Sequence, residues 1–247
     1  MAIYQHDKVV PDSTSVLSKK EQVASMFDDI SSKYDFLNRF LSAGIDISWR
    51  KKGLQQLKDI QPQIILDVAT GTADLAILCS KSLSPKKIIG IDISEGMLEI
   101  GRNKIQNLGL DNKITLLKGN SESIDFPDHY FDAVMVSFGV RNFENLEKGL
   151  VEIKRVLKPG GKLMVLEFSR PKHLLIKLIY GFYMKTLTPK IGKLFSKNNK
   201  AYTYLDESIQ QFPEREAFVN ILNNIGYTQT YHKPLTFGIC SIYCGKK

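Results

Sequence analysis

Cysteine and histidine are scarce in this 247-residue chain: three cysteines, Cys79, Cys240 and Cys244, and four histidines, His6, His129, His173 and His232. The cysteines are odd in number and lack paired C-x-x-C spacing, so they read as small core residues rather than as a disulfide framework or a zinc module. The histidines stand far apart, in tail, loop and strand-end contexts, and no metal site is expected from them. No run of about 18 uncharged apolar residues occurs, which removes a membrane-spanning helix from the reading. The opening "MAIYQHDKVVPDSTS" has neither the basic start nor the apolar run of a secretory signal. A cytoplasmic protein is the expectation. Repeats and low-complexity tracts are also absent, so order is expected nearly throughout, apart from roughly the first 15 residues.

Acid is missing from one long stretch. Between Glu167 and Asp206 there is none, while the run holds Arg170, Lys172, Lys177, Lys185, Lys190, Lys193, Lys197 and Lys200. These eight cations equal the formal net charge of +8, so the rest of the chain is close to neutral. Clustered basic charge implies an acidic partner or a solvated face.

From Ile64 onward, apolar β-rich runs near 64 to 68, 87 to 92, 113 to 117, 131 to 137 and 162 to 168 alternate with helix-periodic runs. That alternation predicts an α/β domain with a parallel, doubly wound sheet. The turn "KPGGK", Lys158 to Lys162, ends one helix and launches the strand "LMVLEF". A helix ending at Gly226 precedes two strand-like runs, Tyr227 to His232 and Gly238 to Cys244. Seven strands result, mostly parallel with an antiparallel last strand, an arrangement that resembles the class I methyltransferase sheet more than a dinucleotide-binding one. Ahead of it, Val23, Met26, Phe27, Ile30, Tyr34, Leu37 and Leu41 keep the rhythm of an amphipathic helix. This helix either covers the sheet edge or, given the polar set Tyr34, Asp35, Asn38 and Arg39, forms a lid over a site. The expected organisation is a tail and helical lid over residues 1–60, then the main domain over 61–247 with a basic helical insertion at about 170–208.

Glycine is short where it is most expected. The strand-turn-helix "ILDVATGTADLA", Ile65 to Ala76, keeps only Gly71, with Ala69 and Ala73 at the other small positions. A pyrophosphate needs donors along a longer glycine-lined path, so a nucleoside ligand carrying an amino acid in place of phosphates suits this turn better. Thr72 offers a hydroxyl and an amide at the helix start. Asp92 ends the second strand at a position where a carboxylate accepts from both ribose hydroxyls, of NAD or S-adenosylmethionine alike; capping of the next helix is the other reading, and Ser94 fits that role better. Asn120 and Ser121 are placed to meet an adenine edge or belong to a plain polar loop. Ser137 is part of the cofactor wall or a strand-end hydroxyl.

The segments "MFDDISSKYDFLNRFLSAGIDISWR", "ILDVATGTADLA", "GIDISEGML", "NSESIDFPDHYFDAVMVSFGVRNF", "RVLKPGGKLMVLEFSRP" and "AYTYLDESIQQFP" resemble the ubiquinone/menaquinone biosynthesis C-methyltransferase family over roughly residues 20 to 245. Several are generic to class I methyltransferases, whereas "SFGVRNF", the "EFSRP" strand end and "YLDESIQQFP" are specific to the family. The family usually reads "GTGD" where this chain has Gly71, Thr72, Ala73 and Asp74. If φ is positive at Ala73, its β-carbon carries a cost.

The resemblance implies methyl transfer from S-adenosylmethionine to a ring carbon of a polyprenylated quinol, a demethylmenaquinol before a benzoquinol, with no metal. It implies a cofactor set of Asp67, Gly71, Thr72, Asp92, Asn120, Ser121 and Ser137. For the chemistry it implies Arg141 to stabilise a phenolate or hold a water, Asn142 to orient the ring oxygen, and Tyr34 and Asp35 to close over it. A surface ion pair is the plainer role for Arg141. The basic segment, with Leu174, Leu175, Ile179, Phe182, Tyr183 and Leu187 among its lysines, reads as a transient contact with the inner face of the cytoplasmic membrane or a tunnel for the prenyl tail. Nucleic acid is not an expected partner, because the aromatics alternate with Leu and Ile instead of lining a charged groove. A homodimer fits the sequence, which is silent on oligomeric state. An NAD-dependent oxidoreductase and a non-catalytic basic module are the competing classes.

Overall fold

The protein is described here by a computed structural model covering residues 4–42, 44–172, 178 and 199–247, with the side chains at 33, 36–38, 40, 41 and 199–202 outside the description. His173, the lysines 177, 185, 190, 193 and 197, and the apolar residues 174, 175, 179, 182, 183 and 187 lie outside the described residues, as do the side chains of Leu37, Asn38, Leu41 and Lys200.

Strands β1 (Ile64–Val68), β2 (Lys87–Asp92), β3 (Ile114–Lys118), β4 (Phe131–Ser137), β5 (Leu157–Phe168), β6 (Thr228–Leu235) and β7 (Cys240–Lys246) form one sheet in the order β3-β2-β1-β4-β5-β7-β6. The first five are parallel, and β7 enters antiparallel between β5 and β6, as the sequence predicts. Side chains alternate between the two faces of the sheet. Leu66, Val68, Val134, Val136, Leu163 and Val165 pack on one face against α5 (Leu146–Val156) and α7 (Glu216–Ile225). Ile65, Ala133, Met135, Met164 and Leu166 pack on the other against α2 (Ile45–Gln55), α3 (Asp74–Ser82) and α4 (Glu95–Asn107). Each fully buried Leu or Val contributes about 1.5–3 kcal/mol, and Leu66→Ala would cost about 2–5 kcal/mol by leaving a cavity between the layers. All three cysteines are buried and free, as small core residues should be.

The turn "KPGGK" differs from its expected place outside the strand. β5 already pairs through Leu157 with Phe131 and resumes with Lys162 opposite Ala133, so the glycines bulge within the strand. A β-carbon at Gly161 would stand 2.8 Å from the Lys158 carbonyl and 3.0 Å from that of Asp132, so the bulge closes only over glycine.

Ahead of the sheet, α1 (Lys19–Leu41) begins at a capping box, where the Ser18 hydroxyl and backbone N–H both donate to Glu21 and the Glu21 N–H returns to the hydroxyl. Its apolar stripe meets α6 (Asn199–Gln211), with Val23, Met26 and Tyr204 buried together. Farther along, Asp28 accepts from the Ser94 hydroxyl at 2.6 Å and from the Gly96 N–H at 2.9 Å, which pins α1 to the N-terminus of α4. Ser94 also caps α4 by accepting from the Met97 N–H.

The expectation of a loose N-terminus is overturned from Tyr4 onward. Gln5–Lys8 forms a 3-10 turn; the fully buried His6 stands edge-on to Phe212, the Lys19 ammonium donates to the His6 carbonyl at 2.7 Å, and Asp7 accepts from the Leu146 N–H. Burial holds the His6 imidazole neutral, with its pKa lowered to about 3, so its 3.2 Å approach to Asp7 is not an ion pair at neutral pH.

Candidate active site

The carboxyl ends of β1, β2 and β4 open into a cleft of about 680 Å³, its mouth included, roofed by α1. Its floor is the glycine-poor turn. Ala69, Gly71 and Ala73 all take positive φ, at 54°, 56° and 66°, where a β-carbon costs about 1–2 kcal/mol. The glycines the turn lacks are supplied by the elements facing it. A β-carbon at Gly139 would come within 2.6 Å of the Ala69 Cβ, and one at Gly101 within 3.2 Å of the Thr72 carbonyl carbon and 3.3 Å of the Ala73 Cβ. Two alanine methyls therefore fit because the opposing positions have none.

Asp92 bridges this turn to the next one. It accepts from the Gly71 N–H at 2.8 Å and from the Ser94 N–H at 2.9 Å, and burial raises its pKa above the usual carboxylate value against those hydrogen bonds. A carboxylate offers about four acceptor positions, so two are left for a ligand. Asn120, Ser121 and Glu122 line the cleft beyond β3, and the Ser137 Oγ, also on the wall, is buried without a partner among the described residues. Val68, Ile91, Met97, Phe138 and Phe143 make the remaining wall apolar, with Val23, Phe27 and Tyr34 of α1 above it.

Of the residues singled out in the sequence, Gly71, Asp92, Asn120, Ser121, Ser137, Tyr34 and Asn142 meet in this cleft; Asp67, Thr72, Asp35 and Arg141 do not line it. Asp67 lies beneath the turn and accepts from the Thr70 hydroxyl at 2.7 Å, its pKa raised by burial to about 7. The Thr72 hydroxyl donates to Asp35 at 2.5 Å and accepts from Lys104, which also pairs with Asp35 and Asp74. Asp35 thus ties α1 to the turn from the side. Arg141 is neither a free cation in the cleft nor a surface pair. Its guanidinium donates to Glu167 at 2.7 Å and to the Phe138 carbonyl at 2.6 Å, with Glu167 wholly buried and the Arg141 side chain 7% exposed. A pair so placed holds the 3-10 turn Val140–Asn142 against the end of β5.

Lys20, Glu122 and Glu144 on the cleft wall, and Glu167 and Tyr204 behind it, escaped the sequence reading. The signal was present for the last two, since "EFSRP" and "AYTYLDESIQQFP" contain them.

A sheet with an inserted antiparallel β7, an acidic end to β2 and a cleft at the carboxyl ends of β1, β2 and β4 define a class I S-adenosylmethionine-dependent methyltransferase. The fold agrees with solved S-adenosylmethionine-dependent methyltransferases, among them one from Thermotoga maritima at TM-score 0.63 and 20% identity, covering 90% of this chain and 99% of that one. Another, from Aquifex aeolicus, aligns at TM-score 0.54 and 21% identity over 74% of this chain and 81% of its own. The chain belongs to the ubiE/COQ5 methyltransferase family, which it matches over residues 15–247. It is 47% identical over 244 residues to the demethylmenaquinone methyltransferase of Bacteroides fragilis, covering 99% of each chain. It is 43% identical over 230 residues to the ubiquinone/menaquinone biosynthesis C-methyltransferase UbiE of Geobacter sulfurreducens, covering 93% of this chain and 90% of that one.

Proposed function

We propose that the protein methylates a ring carbon of a polyprenylated quinol, converting a demethylmenaquinol to a menaquinol. The observation that carries this reading is the 47% identity, over 99% of both chains, with a demethylmenaquinone methyltransferase, joined to a cleft whose apolar walls suit a flat aromatic ring. S-adenosylmethionine, when bound, supplies an electrophilic methyl group on a sulfonium. The residues fit it: Asp92 has acceptors left for a ribose diol, Asn120 and Ser121 border the adenine end, and the Ser137 hydroxyl, unpartnered among the described residues, lines the same space.

The chain's own part in the chemistry is alignment, exclusion of water and control of the ring oxygen. Phe27, Phe138 and Phe143 set the plane of the ring, and Tyr34 covers it from the lid. Asn142 meets the ring oxygen, whose deprotonation raises electron density at the carbon to be methylated. Arg141, neutralised by Glu167, keeps Asn142 in place and is not itself the oxyanion partner.

A polyprenyl tail needs a route to lipid. β7 starts beside the end of β5, so the β6–β7 turn lies toward the same end of the sheet as the cleft, and Phe237 on that turn is 77% exposed close to Lys172. We place this edge and the basic segment after Arg170 against the inner face of the cytoplasmic membrane. Among the described residues no helix is long and apolar enough to cross a membrane. The organisation proposed is a lid over 1–60 and a catalytic domain over 61–247, with the basic insertion as its membrane face.

The test is transfer of labelled methyl from S-adenosylmethionine to demethylmenaquinol in detergent, with the benzoquinol counterpart in parallel. Turnover of the naphthoquinol in preference is expected. Preference for the benzoquinol would move the protein to ubiquinone synthesis, and inactivity on both would overturn the reading.

A further inference from the structure

The amide of Asn142 has two possible orientations, and its surroundings choose between them. The Tyr204 hydroxyl, reaching over from α6, stands 3.2 Å from Oδ1, and the Phe138 carbonyl stands 3.4 Å from Nδ2. Reversing the amide would set its oxygen against the Phe138 carbonyl oxygen, acceptor against acceptor. Tyr204 keeps its proton: burial drives its pKa far above the usual phenol value, Arg141 nearby offsets only part of this, and Glu167 adds to it. A neutral hydroxyl has one hydrogen to give, and Asn142 Oδ1 takes it. The Phe138 carbonyl occupies one N–H of Nδ2 through a long contact, and the other N–H is left for the cleft that Asn142 lines.

Resting on the methyl-transfer reading above, we infer that Tyr204 is a positioning residue: its hydroxyl, through Asn142 Oδ1, holds the amide so that an N–H meets the oxygen of the acceptor ring. A donor aimed there favours the ionised ring oxygen over the hydroxyl, and in the ionised ring it is the electron-rich carbon that attacks the methyl. The arrangement also joins the lid to the chemistry, because the Tyr204 ring is packed against Val23 and Met26 of α1 and is 3% exposed. When α1 and α6 are seated together, the amide is locked.

The experiment is Tyr204→Phe, which keeps the packed ring and removes only the hydroxyl, measured on the full-length protein with demethylmenaquinol. Turnover at saturating acceptor should fall by between about tenfold and a hundredfold. Affinity for S-adenosylhomocysteine should stay within about twofold and the melting temperature within a few degrees, as for a lost part-buried hydrogen bond. The rising limb of the pH–rate profile should move to higher pH, a change that a merely structural role would not produce. In an Asn142→Ala background the same substitution should have no further effect, since the two residues act as one unit. Turnover within twofold of wild type, additive losses in the double variant, or equal loss of donor binding would each overturn the inference. A wild-type protein that methylates no quinol would sink the reading above and this one together, whereas an active wild type with an unimpaired Tyr204→Phe variant would sink this one alone.

Discussion

Replacing Asp92 tests the donor site at its most connected residue. Its carboxylate accepts from the N–H groups of Gly71 and Ser94 at 2.8 and 2.9 Å and so fixes two turns relative to each other. In Asp92→Ala the ligand loses hydrogen bonds to a charged group, about 1.5–3 kcal/mol in all, which weakens donor binding by about tenfold to somewhat over a hundredfold. The stranded Gly71 N–H borders the cleft, where water can replace the carboxylate, whereas Ser94 is wholly buried, so the stability cost should be about 1–3 kcal/mol. Asp92→Asn is the more telling variant. One amide oxygen can serve only one of the two N–H groups cleanly, and the NH₂ then faces the other, donor against donor. The asparagine variant should therefore bind no better than the alanine one, despite its near-identical shape. Calorimetry with S-adenosylhomocysteine measures both affinities, and circular dichroism melts check the fold. Wild-type affinity in a folded Asp92→Ala protein would refute the ribose assignment, and wild-type affinity in Asp92→Asn would refute the argument from paired donors.

Asp67 makes stability depend on pH. Its pKa is raised by burial from 3.8 to about 7, so folding favours the protonated form and stability falls as pH rises from about 4 to 7. At about 1.4 kcal/mol per pH unit the effect approaches 4 kcal/mol. Asp67→Asn, which keeps an acceptor for Thr70, should melt higher than wild type at pH 8 and show little advantage at pH 4; a constant difference would count against a titrating Asp67. Arg141→Met strands Glu167 in the core and should cost about 3–5 kcal/mol, while Arg141→Met with Glu167→Leu should recover most of the stability but not the turnover. Recovery of turnover in the double variant would remove the pair from catalysis. Changing Lys177, Lys185, Lys193 and Lys197 to Gln should reduce binding to anionic vesicles by about 1 kcal/mol per lysine and reduce activity on long-tailed quinol, sparing a short-tailed soluble analogue. Equal loss on both substrates would assign those lysines to the catalytic pocket instead of to docking.

Apolar β-rich runs, the Ser94 cap and the closing hairpin were legible because each is written in neighbouring residues. The same holds for the turn at Gly71 and the acid at the end of β2, whose spacing follows from one crossover unit. What stayed hidden depends on residues far apart in the chain. Nothing local says that Gly139 and Gly101 relieve Ala69 and Ala73, or that Arg141 meets Glu167 and Asn142 meets Tyr204. Thr72 and Asp35 were read as facing a ligand because both are polar and lie in the right segments, yet they face each other and Lys104. The N-terminal turn was read as loose because it lies at the chain terminus; Phe212 and Lys19 bury His6 there all the same.

The measurement closest to the central claim follows the methyl group itself. With a carbon-13 methyl label on S-adenosylmethionine, demethylmenaquinol in detergent micelles and the wild-type protein, carbon NMR of the product distinguishes a methyl on a ring carbon from one on a ring oxygen. The account predicts an aryl-methyl carbon in a product that mass spectrometry shows to be one methyl group heavier. A methoxy carbon, or label left entirely on the donor, would contradict it.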